Sequence, residues 1–416
     1  MFGKSTHLIA AVVLALSWIG AAAMAAEPIK IGFSMAMTGG LAPNGKQVAA
    51  AMEIWREDVN AKGGLLGRPV NFVSYDDQSN PANVPAIYTK LIDVDKVDLI
   101  VSPYATNMVV PTIPIAMQHN MVLIGQFALA ANTEFKYPRY FAIMPTGPDP
   151  KQSIANGFFD LAKQLNPAPK TVAIAYGDAE FAKAMADSAR LHAQEMGLKI
   201  VYDRSYPPSN TDYTPVIRAV QASSPDIVFV GSYPVDSVGL VRAAHELGLK
   251  AQMFGGGMAG LVTTSIEMQL GPLVNGLVVM GFWAPVPAFD FPGIKGVMAR
   301  YQARAAKEGL DPLGNLYVPF GYAGMQVLEQ AVTGSGGLDQ GKLADYLHSH
   351  TFKTVTGDMT FGPNGEWVKP GIIYTQFQHV TSGDVEQFKD PKKQIVVWPP
   401  ALKSGEFIHP YLDAAK

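Results

Sequence analysis

The sequence predicts an α/β fold with mainly parallel sheets. Short apolar runs rich in β-branched residues alternate with segments of helical periodicity along most of the chain. The strand-like runs are too numerous for one compact unit, and Pro145-Thr146-Gly147-Pro148 separates two strand–helix series. Strands that alternate with helices favour βαβ units, which build parallel sheets.

Each predicted element rests on its own run of residues. The first helix is assigned because four apolar residues recur at helical spacing and a glycine pair then ends the run. These residues are Val48, Met52, Trp55 and Val59, followed by Gly63-Gly64. The predicted strands are Ile29–Met35, Val70–Tyr75, Val97–Val101, Met121–Gln126, Tyr140–Met144, Thr171–Tyr176, Lys199–Ser205, Asp226–Tyr233, Gln252–Gly255 and Gly276–Trp283. The predicted helices include Gln47–Asn60, Ala82–Ile92, Pro111–His119, Gly293–Glu308 and Tyr322–Val332, and the tail after Gly357 is predicted to form short strands and loops.

Composition excludes several classes of protein. The chain has 416 residues, of which 48% are hydrophobic, and a formal net charge of −3 without a long basic run. We therefore expect a globular protein with large cores and no nucleic-acid partner. Cysteine is absent, which removes disulfides, thiol nucleophiles and cysteine-based metal sites. Metal-hydrolase and serine-hydrolase motifs are also missing, so we expect a protein that is not an enzyme and has no cofactor or metal.

Residues 1–26 are predicted to be a cleaved secretory signal peptide. Lys4 and His7 precede an apolar run from Leu8 to Gly20, and an Ala-x-Ala site follows at Ala23-Met24-Ala25. The alternative is a membrane anchor, but the run is shorter than the roughly 20 residues that span a bilayer. We expect a soluble periplasmic protein that begins at Ala26 or Glu27.

The stretch Val97–Pro111 is the first candidate for ligand contact. A buried strand is followed by small and polar residues, with Thr106 or Asn107 placed to be the N-cap of a helix. Free N–H groups at such a turn favour an anion, and ligands of open α/β sheets bind outside the carboxyl ends of the strands. The alternative interpretation is an ordinary capped turn.

A glycine-rich motif, Gly255-Gly256-Gly257-Met258-Ala259-Gly260, matches G-x-G-x-x-G but does not predict a dinucleotide site. Such a site needs an acidic residue about 20 positions further on, and position 280 is Met. We expect a loop in which glycine permits close approach of the backbone.

Five stretches carry a resemblance to a known family. They are Ile29–Gly40, Asp58–Val84, Val97–Thr106, Ile227–Lys250 and Val355–Trp367. The most specific part is Asn60–Pro81, with Asn60-Ala61-Lys62-Gly63-Gly64 and Tyr75-Asp76-Asp77-Gln78. The chain resembles the leucine/isoleucine/valine-type periplasmic solute-binding proteins of ABC importers. The resemblance implies two Rossmann-like lobes joined by three crossovers, the type I periplasmic binding protein fold. It places residues 27–145 with 280–356 in one lobe, and residues 146–279 with 357–416 in the other.

The resemblance also implies the ligand-binding residues. The loop Tyr104–Asn107 corresponds to the family's carboxylate loop, and the loop 127–129 to its second carboxylate and ammonium loop. Aromatic residues of the other lobe correspond to walls of the site, although core packing is the alternative for each of them. The expected binding residues are Tyr104, Thr106, Asn107, Phe127, Ala128, Leu129, Phe181, Tyr233, Gly257, Met258 and Trp283.

Two departures bear on the ligand. Leu129 stands where the family's amino-acid binders have a hydroxyl residue, and the glycine loop lacks the acid that pairs with the ligand's ammonium group. Burying an ammonium without a carboxylate partner is costly. We therefore expect a carboxylic acid with an aromatic or apolar body.

Several alternatives stay open. The ligand could be an amide, or a branched-chain amino acid whose ammonium is held by Asp178, Glu180 or Asp236. Two other classes of protein are a sensor that presents the ligand to a receptor, and a hydrolase whose catalytic residues have an unfamiliar spacing in the sequence. The expected partners are a small molecule and an inner-membrane permease, and the expected state is a monomer.

Overall fold

The computed structural model describes residues 27–415, so the predicted signal peptide lies outside the described residues. The first sheet contains five parallel strands in the order β2-β1-β3-β4-β5. These strands are β1 (Ile29–Met35), β2 (Val70–Asp76), β3 (Leu99–Val101), β4 (Leu123–Gly125) and β5 (Tyr140–Ala142). The five strands between residues 29 and 142 thus form one continuous parallel sheet.

The second sheet has seven strands in the order β14-β13-β10-β9-β8-β6-β7. The strands after residue 142 are β6 (Thr171–Gly177), β7 (Lys199–Tyr206), β8 (Ile227–Ser232), β9 (Met253–Met258), β10 (Val278–Gly281), β11 (Thr351–Thr354), β12 (Gly357–Thr360), β13 (Ile373–Phe377) and β14 (Gln394–Trp398). Of these, β11 and β12 form a separate hairpin outside the seven-stranded sheet. The sheet is parallel from β7 to β10, and β13 pairs antiparallel with both β10 and β14. Every residue of β8 is buried, which explains its unbroken apolar run.

Helices cover both sheets. They are α1 (Ala42–Ala61), α2 (Val84–Asp93), α3 (Thr106–Val109), α4 (Ile113–Gln118), α5 (Pro150–Ser153), α6 (Asn156–Ala162), α7 (Glu180–Glu195), α8 (Thr214–Ala222), α9 (Pro234–Glu246), α10 (Thr264–Leu270), α11 (Ile294–Glu308), α12 (Tyr317–Ser335), α13 (Gln340–Ser349) and α14 (Val385–Lys389). Helix α1 packs against α12 and α11, although more than 200 residues separate them in the chain. The predicted α/β class with mainly parallel sheets is confirmed.

Two predicted helices begin earlier than expected. Helix α1 starts at Ala42 and includes Pro43-Asn44-Gly45, which the sequence had suggested as a loop. Helix α12 starts at Tyr317 rather than Tyr322 and carries Pro319 in its first turn. Proline is compatible with the first turn because the N–H groups there have no intrahelical acceptor. Both additional turns border the cavity described below.

The glycine-rich segment is a strand end rather than a loop, so that expectation was wrong. Gly255 and Gly256 have φ values of +154° and +129° inside β9. A Cβ on Gly255 would lie 1.9 Å from the carbonyl oxygen of Val278 in the neighbouring strand. Glycine is therefore required here by the close approach of adjacent strands and not by a nucleotide.

Candidate functional site

One cavity collects segments that follow the carboxyl ends of strands from both sheets. Its volume is about 60 Å³. Because parallel strands point the same way, the segments after β3, β4, β8 and β9 all reach this region. The lining residues are Tyr104, Ala105, Thr106, Phe127, Leu129, Met144, Phe181, Tyr233, Gly257, Met258, Ala259, Val262, Met280, Phe282, Leu316 and Tyr317.

The structure brings together most of the expected binding residues. Those that line the cavity are Tyr104, Thr106, Phe127, Leu129, Phe181, Tyr233, Gly257 and Met258. Asn107, Ala128 and Trp283 are absent from the lining. Ala128 is buried, the Asn107 Oδ1 atom is buried without a hydrogen-bond partner, and Trp283 lines an outer groove with Pro285.

The turn after β3 differs from the expected capped helix. The N-cap position is Ala105, with φ +81° and ψ 141°, and neither Thr106 nor Asn107 caps the helix. The Thr106 hydroxyl instead accepts a hydrogen bond from the N–H of Leu129 at 3.0 Å. A positive φ at a non-glycine residue costs free energy, and such residues cluster at ligand sites. The bond between Thr106 and Leu129 holds the loops after β3 and β4 together.

Three aromatic rings form one end of the cavity. The ring centroids of Tyr104 and Tyr317 are 5.4 Å apart, and Phe127 lies 5.9 Å from the first ring and 5.2 Å from the second. Tyr104 and Phe127 also form a parallel bridge that extends the pairing beyond β3 and β4. Tyr104 and Tyr317 pack edge to face and Phe127 is tilted against both, which fixes the three rings relative to one another.

The opposite wall is built by Phe181 and Tyr233. Their ring centroids are 5.6 Å apart in an edge-to-face arrangement, and the N–H of Phe181 donates to the Tyr233 hydroxyl at 3.2 Å. Burial raises the pKa of Tyr233, so this hydroxyl keeps its proton at neutral pH. Its hydrogen therefore remains available to an acceptor in the cavity.

None of the lining residues is charged. The acids considered as partners for an ammonium group lie elsewhere. Asp178 pairs with Lys183 at 2.8 Å, and Asp236 accepts a hydrogen bond from the Tyr206 hydroxyl at 2.7 Å. Glu180 is the first residue of α7 and is not part of the lining. The cavity is thus a neutral, largely aromatic and aliphatic chamber.

Sequence reasoning missed Tyr317 and its polar neighbour Asn44. Asn44 is fully buried, and its amide donates to the hydroxyls of Tyr104 at 2.7 Å and Tyr317 at 2.8 Å. Its Oδ1 atom accepts a hydrogen bond from the Thr263 hydroxyl at 2.7 Å. Both residues lie in the first turn of a helix, before the apolar residues at helical spacing begin. The sequence pattern therefore did not indicate that they lie near the cavity.

Among residues 27–415, no helix is both long enough and apolar enough to cross a bilayer. The family model described as "periplasmic binding protein" matches residues 28–377. An amino acid binding protein of Pseudomonas aeruginosa is 27% identical over 86% of this chain and 90% of its own length. The Leu/Ile/Val-binding protein of Escherichia coli K12 is 25% identical over 82% of this chain and 88% of its own length.

A solved structure supports the same fold. A solute-binding protein of an ABC transporter from R. palustris, crystallised with benzoate, superposes with a TM-score of 0.74. The sequence identity is 17%, and the match covers 92% of this chain and 99% of that protein. Two α/β sheets with a cavity between strand ends are the architecture of solute-binding proteins. This chain belongs to the periplasmic binding protein family, which confirms the resemblance to the leucine/isoleucine/valine type.

Proposed function

We propose that this chain is the periplasmic solute-binding subunit of an ABC importer and that it closes on a small carboxylic acid with an aromatic or apolar body. The single observation that carries the choice of ligand is the uncharged cavity, whose lining contains no carboxylate to pair with an ammonium group. An amino acid would bury its ammonium there without a counter-charge, at a high cost in free energy. Binding and release, with no bond broken, are the whole proposed mechanism.

The available hydrogen-bond donors support a carboxylate. The hydroxyls of Thr106 and Tyr233 each accept from a backbone N–H, which leaves their own hydrogens free to donate into the cavity. The N–H groups of Thr106 and Asn107 donate to no acceptor within residues 27–415. A set of donors without an acidic acceptor matches the needs of a carboxylate.

The walls of the cavity support an apolar body, and its volume of about 60 Å³ favours a compact one. Phe127, Phe181 and Met258 supply ring and thioether surfaces against which a ring or alkyl chain can pack.

The proposal includes the motion and the division of the chain. Residues 27–145 with 280–356 would form one lobe, and residues 146–279 with 357–416 the other. The ligand would favour the closed form by contacting the turn after β3 and the Phe181–Tyr233 wall together. We also propose that the protein acts as a monomer that delivers its ligand to a membrane permease.

Titration calorimetry with the purified protein tests the ligand class. We expect benzoate, cinnamate or a short aliphatic acid to bind, and leucine, valine and phenylalanine to give no signal. Thr106→Ala should weaken the bound acid about tenfold because it removes a donor to a charged group. Phe181→Ala should weaken it by a similar factor through lost packing.

Matched controls separate local effects from general ones. Thr381→Ala removes another hydrogen-bonded threonine hydroxyl, but at an exposed site outside the cavity lining, and should leave affinity unchanged. Tight leucine binding would overturn the proposed ligand class. It would favour a branched-chain amino acid, as the names of the two bacterial relatives suggest.

A further inference from the structure

Asn44 stands at the meeting point of the two halves of the fold. It lies in the first turn of α1, which packs on the side of the five-stranded sheet, whereas Thr263 follows β9 of the seven-stranded sheet. The Thr263 hydroxyl donates to Asn44 Oδ1 at 2.7 Å, and the Tyr317 hydroxyl is 3.4 Å from the carbonyl oxygen of Ala259. A single buried amide therefore connects both sides of the cavity.

The same amide occupies the hydroxyls of two cavity-lining tyrosines. Its two N–H groups donate to Tyr104 and Tyr317, whose hydroxyl oxygens are 3.3 Å apart. Both rings line the cavity together with Phe127, but their polar ends converge on Asn44. The ligand meets ring carbon at this end, although two of the three rings are tyrosines.

We propose that Asn44 is a positioning residue that sets specificity: by holding the hydroxyls of Tyr104 and Tyr317, it makes this end of the cavity accept an apolar group and disfavour a hydroxylated one. The inference rests on the proposed function and extends it to one end of the ligand. A ligand hydroxyl placed against Tyr104, Phe127 and Tyr317 would lose its water without gaining a partner. Replacing Asn44 would release the tyrosine hydroxyls, which could then bond to such a group.

The test compares paired ligands that differ by one hydroxyl group. Benzoate is titrated alongside 2-, 3- and 4-hydroxybenzoate, and phenylalanine alongside tyrosine. For wild-type protein we expect the hydroxyl-free member of the bound class to bind about tenfold more tightly than its hydroxylated partners. In Asn44→Ala, at least one hydroxylated partner should recover most of that difference. The readout is the ratio of affinities, because a merely structural defect would lower both members equally.

Two further variants keep the test interpretable. Thr263→Val is nearly isosteric, removes the hydrogen bond to Asn44 Oδ1, and should shift the ratio in the same direction by a smaller factor. Asn60→Ala is the matched control, because Asn60 lies in the same helix and its amide also makes two hydrogen bonds, but with Val70 and away from the cavity. It should leave the ratio unchanged.

Each outcome has one meaning. An unchanged ratio in folded Asn44→Ala and Thr263→Val, with the acids still bound, overturns the role of Asn44 and leaves the proposed function standing. Binding of an amino-acid pair alone overturns the proposed ligand class, and the ratio within that pair then decides the role of Asn44. If only cinnamate or a short aliphatic acid binds, the same ratio is measured between that acid and its hydroxylated analogue. A wild-type protein that binds none of these acids and no member of any pair overturns the proposed function and, with it, this inference.

Discussion

Two buried polar junctions tie distant parts of this chain together, and they differ in their chemistry. At the cavity junction, the amide of Asn44 is bound by three hydroxyl groups, all neutral. We call the second one the crossover junction, because Thr146 lies between β5 of the first sheet and β6 of the second, and Glu366 between the hairpin β11–β12 and β13. There the Thr146 hydroxyl donates at 2.8 Å to the carboxyl of Glu366, which is almost completely buried. Burial raises the pKa of Glu366 from its ordinary value of 4.5 to about 7, and the bond from Thr146 opposes part of that rise.

Because one junction contains an amide and the other a carboxyl group, we expect the two junctions to respond differently to pH. An amide has the same charge throughout the physiological range, so the hydrogen bonds of Asn44 do not depend on proton concentration. The carboxyl of Glu366 gains a charge near neutrality, in a segment that is also held by Asn364 to the carbonyl oxygen of Pro148 and by Trp367 to that of Ala142. Stability should therefore depend on pH at the crossovers and not at the cavity.

The largest expected effect is that of Glu366→Gln. Between pH 4.5 and 7 the folded protein keeps a proton on Glu366 that the unfolded chain releases, so this group's contribution to stability is lost as pH rises. Glutamine cannot titrate. The free energy of unfolding of the variant, relative to wild type, should therefore rise by about 3 kcal/mol from pH 4 to pH 8.

Chemical denaturation at several pH values measures this difference. Glu406→Gln is the control, because the Glu406 side chain is exposed and pairs only with Lys403. A difference between Glu366→Gln and wild type that is constant across pH would contradict the assignment of a titrating crossover.

The second effect concerns the cavity junction. Asn44→Ala removes three hydrogen bonds and leaves buried hydroxyls with fewer partners, so the free energy of unfolding should fall by about 2 kcal/mol. The loss should be equal at pH 5 and pH 8, because no ionisable group takes part at neutral pH. A loss that changes by more than about 1 kcal/mol over this interval would break the contrast between the junctions.

The smallest effect is expected from Thr146→Val. The substitution removes one hydrogen bond to Glu366 and should cost about 1.5 kcal/mol at pH 8, where the acceptor is charged, and about 0.5 kcal/mol at pH 5. The midpoint of the pH dependence should move upward, since the bond lowers the pKa of Glu366. Thr381→Val, at an exposed hydroxyl, should change stability by less than about 0.5 kcal/mol at either pH. Equal costs of Thr146→Val at both pH values would argue against a charged acceptor.

The sheets and one side of the cavity could be predicted from the sequence, because buried strands leave a recognisable pattern of residues. Buried parallel strands are continuous apolar runs, and residues that follow such strands, such as Tyr104, Phe127 and Tyr233, must emerge at the same edge. The family resemblance gave these positions roles that the strand pattern alone could not. The N-cap expectation at Thr106 was wrong because Ala105 adopts a positive φ that sequence does not encode at alanine.

Contacts between distant helices could not be predicted. Asn44 and Tyr317 are 273 residues apart and meet only because α1 packs on α12. Neither residue belongs to an apolar stripe or a motif, and each is common in surface turns. The hydrogen bonds that Asn44 makes with Tyr104 and Tyr317 at the cavity therefore become visible only in the tertiary structure.

The position of Trp283 has an experimental consequence. Trp55, Trp367 and Trp398 donate from their indole nitrogens to Glu329, Ala142 and Asp160, whereas the Trp283 indole nitrogen is buried without a partner. Trp283 follows Phe282, a residue of the cavity wall, so a ligand that displaces this wall alters the surroundings of the indole. Indole emission is sensitive to local polarity, so we expect ligand binding to change the intrinsic fluorescence of this chain without an attached dye.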